Sequence, residues 1–257
     1  MKVLILAGGY GTRIADESRV VPKPMIEIGG KPILWHIMKR YSQYGFNDFV
    51  VMAGYRGDVI KRYFLDYYLN SSSISVDLRT NSCEYFNSSA EPWRVTVLDT
   101  GAATMTGGRI KQAAESVGGE TFLLTYGDGV ADVDINALVE HHKAEGKLVT
   151  LTGVEPEGRF GRLDLDSQNR VTSFEEKAKG EFGRINGGFF VCEPQVLDCI
   201  SDDVSATFER DTLEELAKRG EISCYRHEGF WKCMDTLADK EALTTLWESG
   251  DCPWRNW

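Results

Sequence analysis

Residues 3–25, VLILAGGYGTRIADESRVVPKPM, constrain this chain more than any other segment. The apolar run within 2–7 predicts a strand that empties into Gly8-Gly9-Tyr10-Gly11. Small side chains in such a turn let backbone N–H groups approach an anion. Thr12 and Arg13 follow at once, and Lys23 stands between Pro22 and Pro24. Strand, pliable turn and two fixed cations, in that order, suit a bound polyphosphate whose outer oxygens Arg13 and Lys23 neutralise. The register is GGxGTR rather than GxGxxG, the two prolines stop a helix from following soon after, and GxxxxGK[ST] is absent. A dinucleotide fingerprint and a Walker loop are therefore disfavoured.

Further along, apolar runs alternate with amphipathic stretches. Strands are predicted at 49–53, 93–99, 121–126 and 147–154, and helices at 32–44, 57–69, 109–117 and 136–145. Residues 70–92, rich in Ser and Asn, predict an irregular excursion with one short strand at 74–78. Beyond 154 the pattern changes to a hairpin, 162–166 with 170–175, then a strand at 185–192 and helices at 209–218 and 238–247. This is an α/β chain: a mixed, mainly parallel sheet flanked by helices, with small β additions in the second half. No linker or repeat divides it. One domain is expected, its nucleotide-binding part at about 1–135 and its substrate part at about 136–257. Ligands of such sheets collect at the carboxyl ends of strands, where Gly8–Gly11 and Asp128 fall.

The net charge of −10 argues against a nucleic-acid or anionic-membrane surface, and no apolar run approaches a membrane span. The start, Met1-Lys2 leading straight into a strand, carries no leader pattern. The six cysteines form no CxxC or zinc spacing, so reduced thiols and a cytoplasmic location are expected.

Asp128, between Gly127 and Gly129, suits a divalent cation held by one or two carboxylates plus phosphate oxygens, although such an Asp also caps turns. Asp235, in WKCMDT, is the candidate second carboxylate; Thr236 or Asp239 can supply the helix cap in its place. Asp132-Val133-Asp134 competes as the DxD pair of a metal-dependent glycosyltransferase, with Asp134 better suited to an N-cap. Glu176 can accept from sugar hydroxyls, Lys177 can meet a sugar phosphate, and Asn186 offers both donor and acceptor. His36, inside the 32–44 helix, reads as structural. The tryptophans 247, 254 and 257 and the 66–92 excursion are expected to favour subunit contacts.

Taken together, LAGGYGTR (6–13), PKPM (22–25), GDG (127–129), FEEK (174–177), INGGFF (185–190) and WKCMDT (231–236) resemble the sugar-nucleotide pyrophosphorylases, nucleotidyltransferases acting on sugar 1-phosphates. The resemblance covers most of the chain. It implies a Rossmann-like fold, Mg²⁺ and a homo-oligomer. Through AGGYGTRIADES, YGDGVADVDI and GRFGRLDLD it implies CTP and α-D-glucose 1-phosphate as substrates, with CDP-glucose and pyrophosphate as products; UTP or dTTP in place of CTP, or a non-catalytic nucleotide-binding subunit, are the alternatives. By the same resemblance Leu6, Ala7, Gly8, Gly9, Tyr10, Gly11, Thr12, Arg13, Lys23, Gly127 and Asp128 hold the nucleotide, with Arg13, Lys23 and Asp128 catalytic. Gly129, Gly161, Glu176, Lys177, Lys179 and Asn186 hold the sugar phosphate, and Asp128 and Asp235 the metal. The base-reading segment of many relatives is replaced by DTGAATMTGGRI (99–110), which makes Thr104 and Arg109 candidate nucleotide contacts.

Overall fold

The computed structural model describes residues 1–11, 21–156, 161–165, 168, 171–176 and 183–257. Its strands are β1 (Val3–Ala7), β2 (Glu27–Ile28), β3 (Lys31–Pro32), β4 (Asp48–Ala53), β5 (Ser73–Asp77), β6 (Ser82–Phe86), β7 (Arg94–Asp99), β8 (Phe122–Tyr126), β9 (Gly129–Ala131), β10 (Val149–Val154), β11 (Gly161–Leu165), β12 (Val171–Glu176), β13 (Ile185–Cys192), β14 (Ile222–His227) and β15 (Trp231–Cys233).

Every residue of β1 is buried. Side chains alternate across a strand, so Val3, Ile5 and Ala7 enter one hydrophobic layer and Leu4 and Leu6 the other. That is why the sequence shows a continuous apolar run here rather than alternation. Among the described residues β1 lies inside a seven-stranded sheet of order β14-β10-β13-β8-β1-β4-β7. The pairs β8–β1, β1–β4, β4–β7 and β10–β14 are parallel. β13 runs antiparallel to both neighbours, β8 and β10. One layer is led by the helix Ile33–Ser42 together with Ile60, Ile135, Leu138 and Leu243, and the other contains Ile110, Phe208 and Leu216.

The topology delivers the functional segments to one edge. The parallel strands β1, β4, β7 and β8 send their following turns to the same side of the sheet. Because β13 is reversed, its first residues, Asn186 to Gly188, arrive at that side as well, just beyond the Phe189–Thr125 pairing with β8.

Several expectations need adjustment. The excursion at 70–92 holds a full antiparallel hairpin, β5 with β6, every residue of which is exposed. The helix expected over 57–69 breaks at Asp66, and the one expected over 109–117 begins at Thr106 and breaks at Ala113. Residues 209–218 are α-helical only from Glu214; before that lies a π-helical turn, Phe208–Leu213. Strands β2, β3, β9, β14 and β15 have no counterpart among the predicted strands. The tryptophan tail makes contacts within its own chain. Trp254 is fully buried and stacks on Phe230, and Trp257 meets Trp35 edge-on. No helix among the described residues is long and apolar enough to cross a membrane.

Candidate active site

Lys23 opens the short 3₁₀ turn Lys23–Met25, with Pro24 in its first turn and the Met25 N–H donating to the Pro22 carbonyl at 2.8 Å. The Pro-Lys-Pro sequence thus sets the direction of the lysine. Asp128 is separated from β8 by Gly127 alone. Asp235 follows β15, which pairs with β9 so that Cys233 lies opposite Gly129, and the Met234 N–H donates to the Asp128 carbonyl. That register places the two carboxylates side by side. The Lys23 ammonium lies between them, 2.7 Å from Asp128 Oδ2 and 2.6 Å from Asp235 Oδ1. Burial pulls the lysine pKa down, but the attraction and hydrogen bonds of Asp128 and Asp235 outweigh it, and the net shift is upward. The capping role is filled without Asp235: Thr236 and Asp239 form a capping box on the helix Leu237–Ser249.

These groups line a cavity of about 610 Å³ over the carboxyl ends of β1 and β8. Leu6 to Gly11, Lys23, Thr104, Arg109, Gly127, Asp128 and Asp235 all face it, so the structure brings together most of the nucleotide-side candidates. Two hard carboxylates meeting one half-buried cation across an open cavity fit a magnesium ion, which takes few protein ligands and completes its shell with phosphate oxygens and water. Among the described residues no cluster of three or more His, Cys, Asp or Glu side chains forms a closed metal cage.

Arg109 has a role that the sequence did not announce. Its guanidinium donates to the carbonyls of Gly8 (3.0 Å), Gly101 (2.8 Å), Ala53 (3.3 Å) and Ala102 (3.4 Å), and also to the Thr100 hydroxyl. It thereby ties the ends of β1, β4 and β7 into one wall. A side chain on Gly8 would collide with that guanidinium, which gives this glycine a packing reason as well as a ligand-approach one.

Two further lining residues not singled out from sequence, Tyr126 and Thr106, are held by a third, Glu209, which stands behind the cavity wall. Tyr126, the last residue of β8, donates to Glu209 Oε1 at 2.6 Å, and Thr106 donates to Glu209 Oε2 at 2.6 Å. The Asn186 amide donates to the Tyr126 hydroxyl at 3.3 Å while its oxygen accepts from the Gly188 N–H at 2.9 Å. Burial first, and the Glu209 carboxylate second, push the Tyr126 phenol well up, so it remains a donor. Its place directly before Gly127-Asp128 was the available signal; nothing in the sequence marked Glu209.

Other candidates fall elsewhere. Gly129 continues from Asp128 into β9. Gly161 and Glu176 pair at the ends of the β11–β12 hairpin. Thr12, Arg13, Lys177 and Lys179 lie outside the described residues. Asp134 caps the helix Ile135–Glu145 by accepting from the Ala137 N–H, and Asp132 Oδ1 lies 2.9 Å from His227 Nε2, so the DxD pair is engaged in structure. His36 is fully buried, as a structural histidine should be.

A glycine turn, a fixed lysine and paired carboxylates at the carboxyl edge of a Rossmann-like mixed sheet define a protein class that handles phosphate-rich nucleotides. The chain belongs to the nucleotidyl transferase family, whose profile matches residues 2–239. It is 53% identical to the glucose-1-phosphate cytidylyltransferase of Salmonella typhi and 43% identical to the probable glucose-1-phosphate cytidylyltransferase of Bacillus subtilis, each over the full length of both chains. Among solved structures, HddC from Yersinia pseudotuberculosis superposes with a TM-score of 0.70 at 24% identity, covering 96% of this chain and 99% of that one. A UDP-glucose pyrophosphorylase complexed with UDP-glucose gives 0.68 at 16% identity, covering 97% and 98%. Both neighbours share the fold.

Proposed function

We propose that this protein transfers a cytidylyl group from CTP to α-D-glucose 1-phosphate, releasing pyrophosphate and CDP-glucose. The observation that carries the reading is the convergence of the Gly8–Gly11 turn, Lys23, Asp128 and Asp235 on one cavity, in a chain matched over its full length by glucose-1-phosphate cytidylyltransferases. An oxygen of the sugar phosphate forms a bond to the α-phosphorus of CTP, and the bond from that phosphorus to the bridging oxygen of the β-phosphate breaks in line. The attacking oxygen is already anionic at neutral pH, so no general base is required. Positioning and charge neutralisation supply the catalysis.

The Gly8–Gly11 backbone receives the triphosphate. Lys23 lies close enough to the cavity to meet the departing phosphates, and Arg13 is assigned to the same charge. Asp128 and Asp235 would hold Mg²⁺, which when bound neutralises charge developing on the phosphate oxygens. Asn186, Glu176 and Lys177, with Gly129, Gly161 and Lys179 beside them, are assigned to the sugar phosphate; the amide of Asn186 is oriented by Gly188 and Tyr126. Free thiols at all six cysteines suit the reducing cytoplasm, where we place the enzyme.

We also assign the β5–β6 hairpin to a homo-oligomer contact. Its register pairs Ile74 with Tyr85 and Val76 with Cys83, giving one apolar face that is exposed on this chain. The test of the activity is pyrophosphate release from CTP and glucose 1-phosphate with Mg²⁺, and its loss in Asp128→Ala. Near-normal turnover of that variant at saturating Mg²⁺ would contradict the metal assignment.

A further inference from the structure

The Glu209 carboxylate does not line the cavity, yet each of its oxygens holds a hydroxyl that does. Thr106 belongs to the segment beside Thr104 on the nucleotide side, and Tyr126 precedes Asp128 and touches Asn186. The chain of donors has one direction. The Phe208 N–H donates to Thr106 Oγ1 at 2.9 Å, which turns the threonine proton toward Glu209. On the other side the Asn186 amide donates to the Tyr126 oxygen, which turns the phenol proton toward Glu209 as well. Both oxygens of the side chain accept in this arrangement, which a carboxyl group can supply. The Tyr126 ring is held from behind as well. Gly188 sits at φ +81, and a Cβ there would strike the ring, so the ring rests directly on β13 backbone. Glu209 itself stands in the π-helical turn Phe208–Leu213, a rare irregularity that is frequent at functional sites.

We propose that Glu209 is a positioning residue that joins the two halves of the site: through Thr106 it fixes the nucleotide-side segment 102–106, and through Tyr126 it orients the Asn186 amide toward the sugar phosphate. The proposal rests on the reading of Asn186 as a sugar-phosphate ligand and adds to it the groups that aim it.

The two arms are separable. Calorimetric titration of CTP with Mg²⁺, and separately of glucose 1-phosphate, reads them without turnover. Tyr126→Phe weakens glucose 1-phosphate binding about fivefold, the worth of one ordinary hydrogen bond, and leaves CTP binding unchanged. Thr106→Val does the reverse. Glu209→Ala weakens both, and adding Tyr126→Phe to it causes no further loss for glucose 1-phosphate, because the arm is already released. Glu209→Gln preserves volume and one acceptor, so it retains more of the binding than Glu209→Ala at an unchanged far-ultraviolet spectrum. The proposal is overturned if Glu209→Ala and Glu209→Gln bind both ligands as wild type does, or if the Glu209 and Tyr126 losses multiply. A wild type that binds both ligands but releases no pyrophosphate overturns the proposed function and leaves the Glu209 test intact; one that binds neither overturns both.

Discussion

Lys23 stands where two carboxylates would otherwise repel each other across the cavity. Lys23→Met leaves Asp128 and Asp235 without their counter-charge, at a stability cost of about 2 kcal/mol. In the proposed function it also removes a phosphate ligand, and kcat/KM should fall by about 10² to 10³, the usual consequence of losing a charged transition-state contact. Added Mg²⁺ should raise the melting temperature of this variant more than that of wild type, since the ion supplies the missing positive charge; equal shifts would contradict the arrangement. The aim of Lys23 was legible because flanking prolines leave the backbone little choice. Its partners were legible only as candidates, since the pairing of Asp128 with Asp235 depends on the β9–β15 register. His36 offers a second test. Its Nε2 lies 2.9 Å from the Ile28 carbonyl, so that nitrogen carries the proton, and Nδ1 accepts from Trp254 Nε1 at 3.4 Å. Burial, the largest cause, lowers its pKa to about 4. The unfolded chain takes up this proton below about 6.5 and the folded one does not until about 4. The resulting stability is complete above pH 6.5 and is lost as the pH falls to about 4, by about 3 kcal/mol. Urea unfolding between pH 7 and 4 should lose that share of its slope in His36→Gln; an unchanged slope would contradict the neutral assignment.

At the scale of elements, local chemistry decided what could be read. The helix Ile135–Glu145 was evident because Asp134 caps it at one end and Gly146, in the left-handed region, closes the other. Asp134→Ala should cost about 1 kcal/mol in chemical denaturation and leave pyrophosphate release unaffected; loss of activity without loss of stability would revive the DxD metal reading. Strands β9 and β15 were missed because three residues show no periodicity, and their identity comes from pairing with each other. The π-helical turn was read as ordinary helix because its extra residue leaves no mark in composition. Of the β5–β6 hairpin only the first strand was legible, at 74–78, because its apolar residues have no core to face on this chain and Ser and Asn dominate the local pattern. If that face meets a second copy, the double variant Ile74→Ser with Tyr85→Ser should lower the mass measured by light scattering toward the monomer. An unchanged mass with both residues replaced would remove the hairpin from the interface.

At the scale of the whole molecule, reversing a single strand brings segments from both halves of the chain to one edge of the sheet, where the proposed function places both substrates. The parallel strands β1 and β8 carry the glycine turn and Asp128 to one edge, as strand order in open α/β sheets requires. Antiparallel β13 brings Asn186 to the same edge from the opposite direction. Alternating apolar runs made the layered class legible, but strand sense is not encoded in hydrophobicity, so the meeting of Asn186 with Tyr126 had to be seen in three dimensions. The wall that Arg109 ties together is likewise a product of the fold, since its contacts are to backbone carbonyls far apart in sequence. The central claim is therefore tested by offering CTP, UTP, dTTP, ATP and GTP in turn with glucose 1-phosphate and Mg²⁺ and measuring pyrophosphate. Release should be fastest with CTP, by at least about tenfold in kcat/KM, a discrimination of about 1.4 kcal/mol between bases. Release with none of the five, or preference for UTP or dTTP, would contradict it.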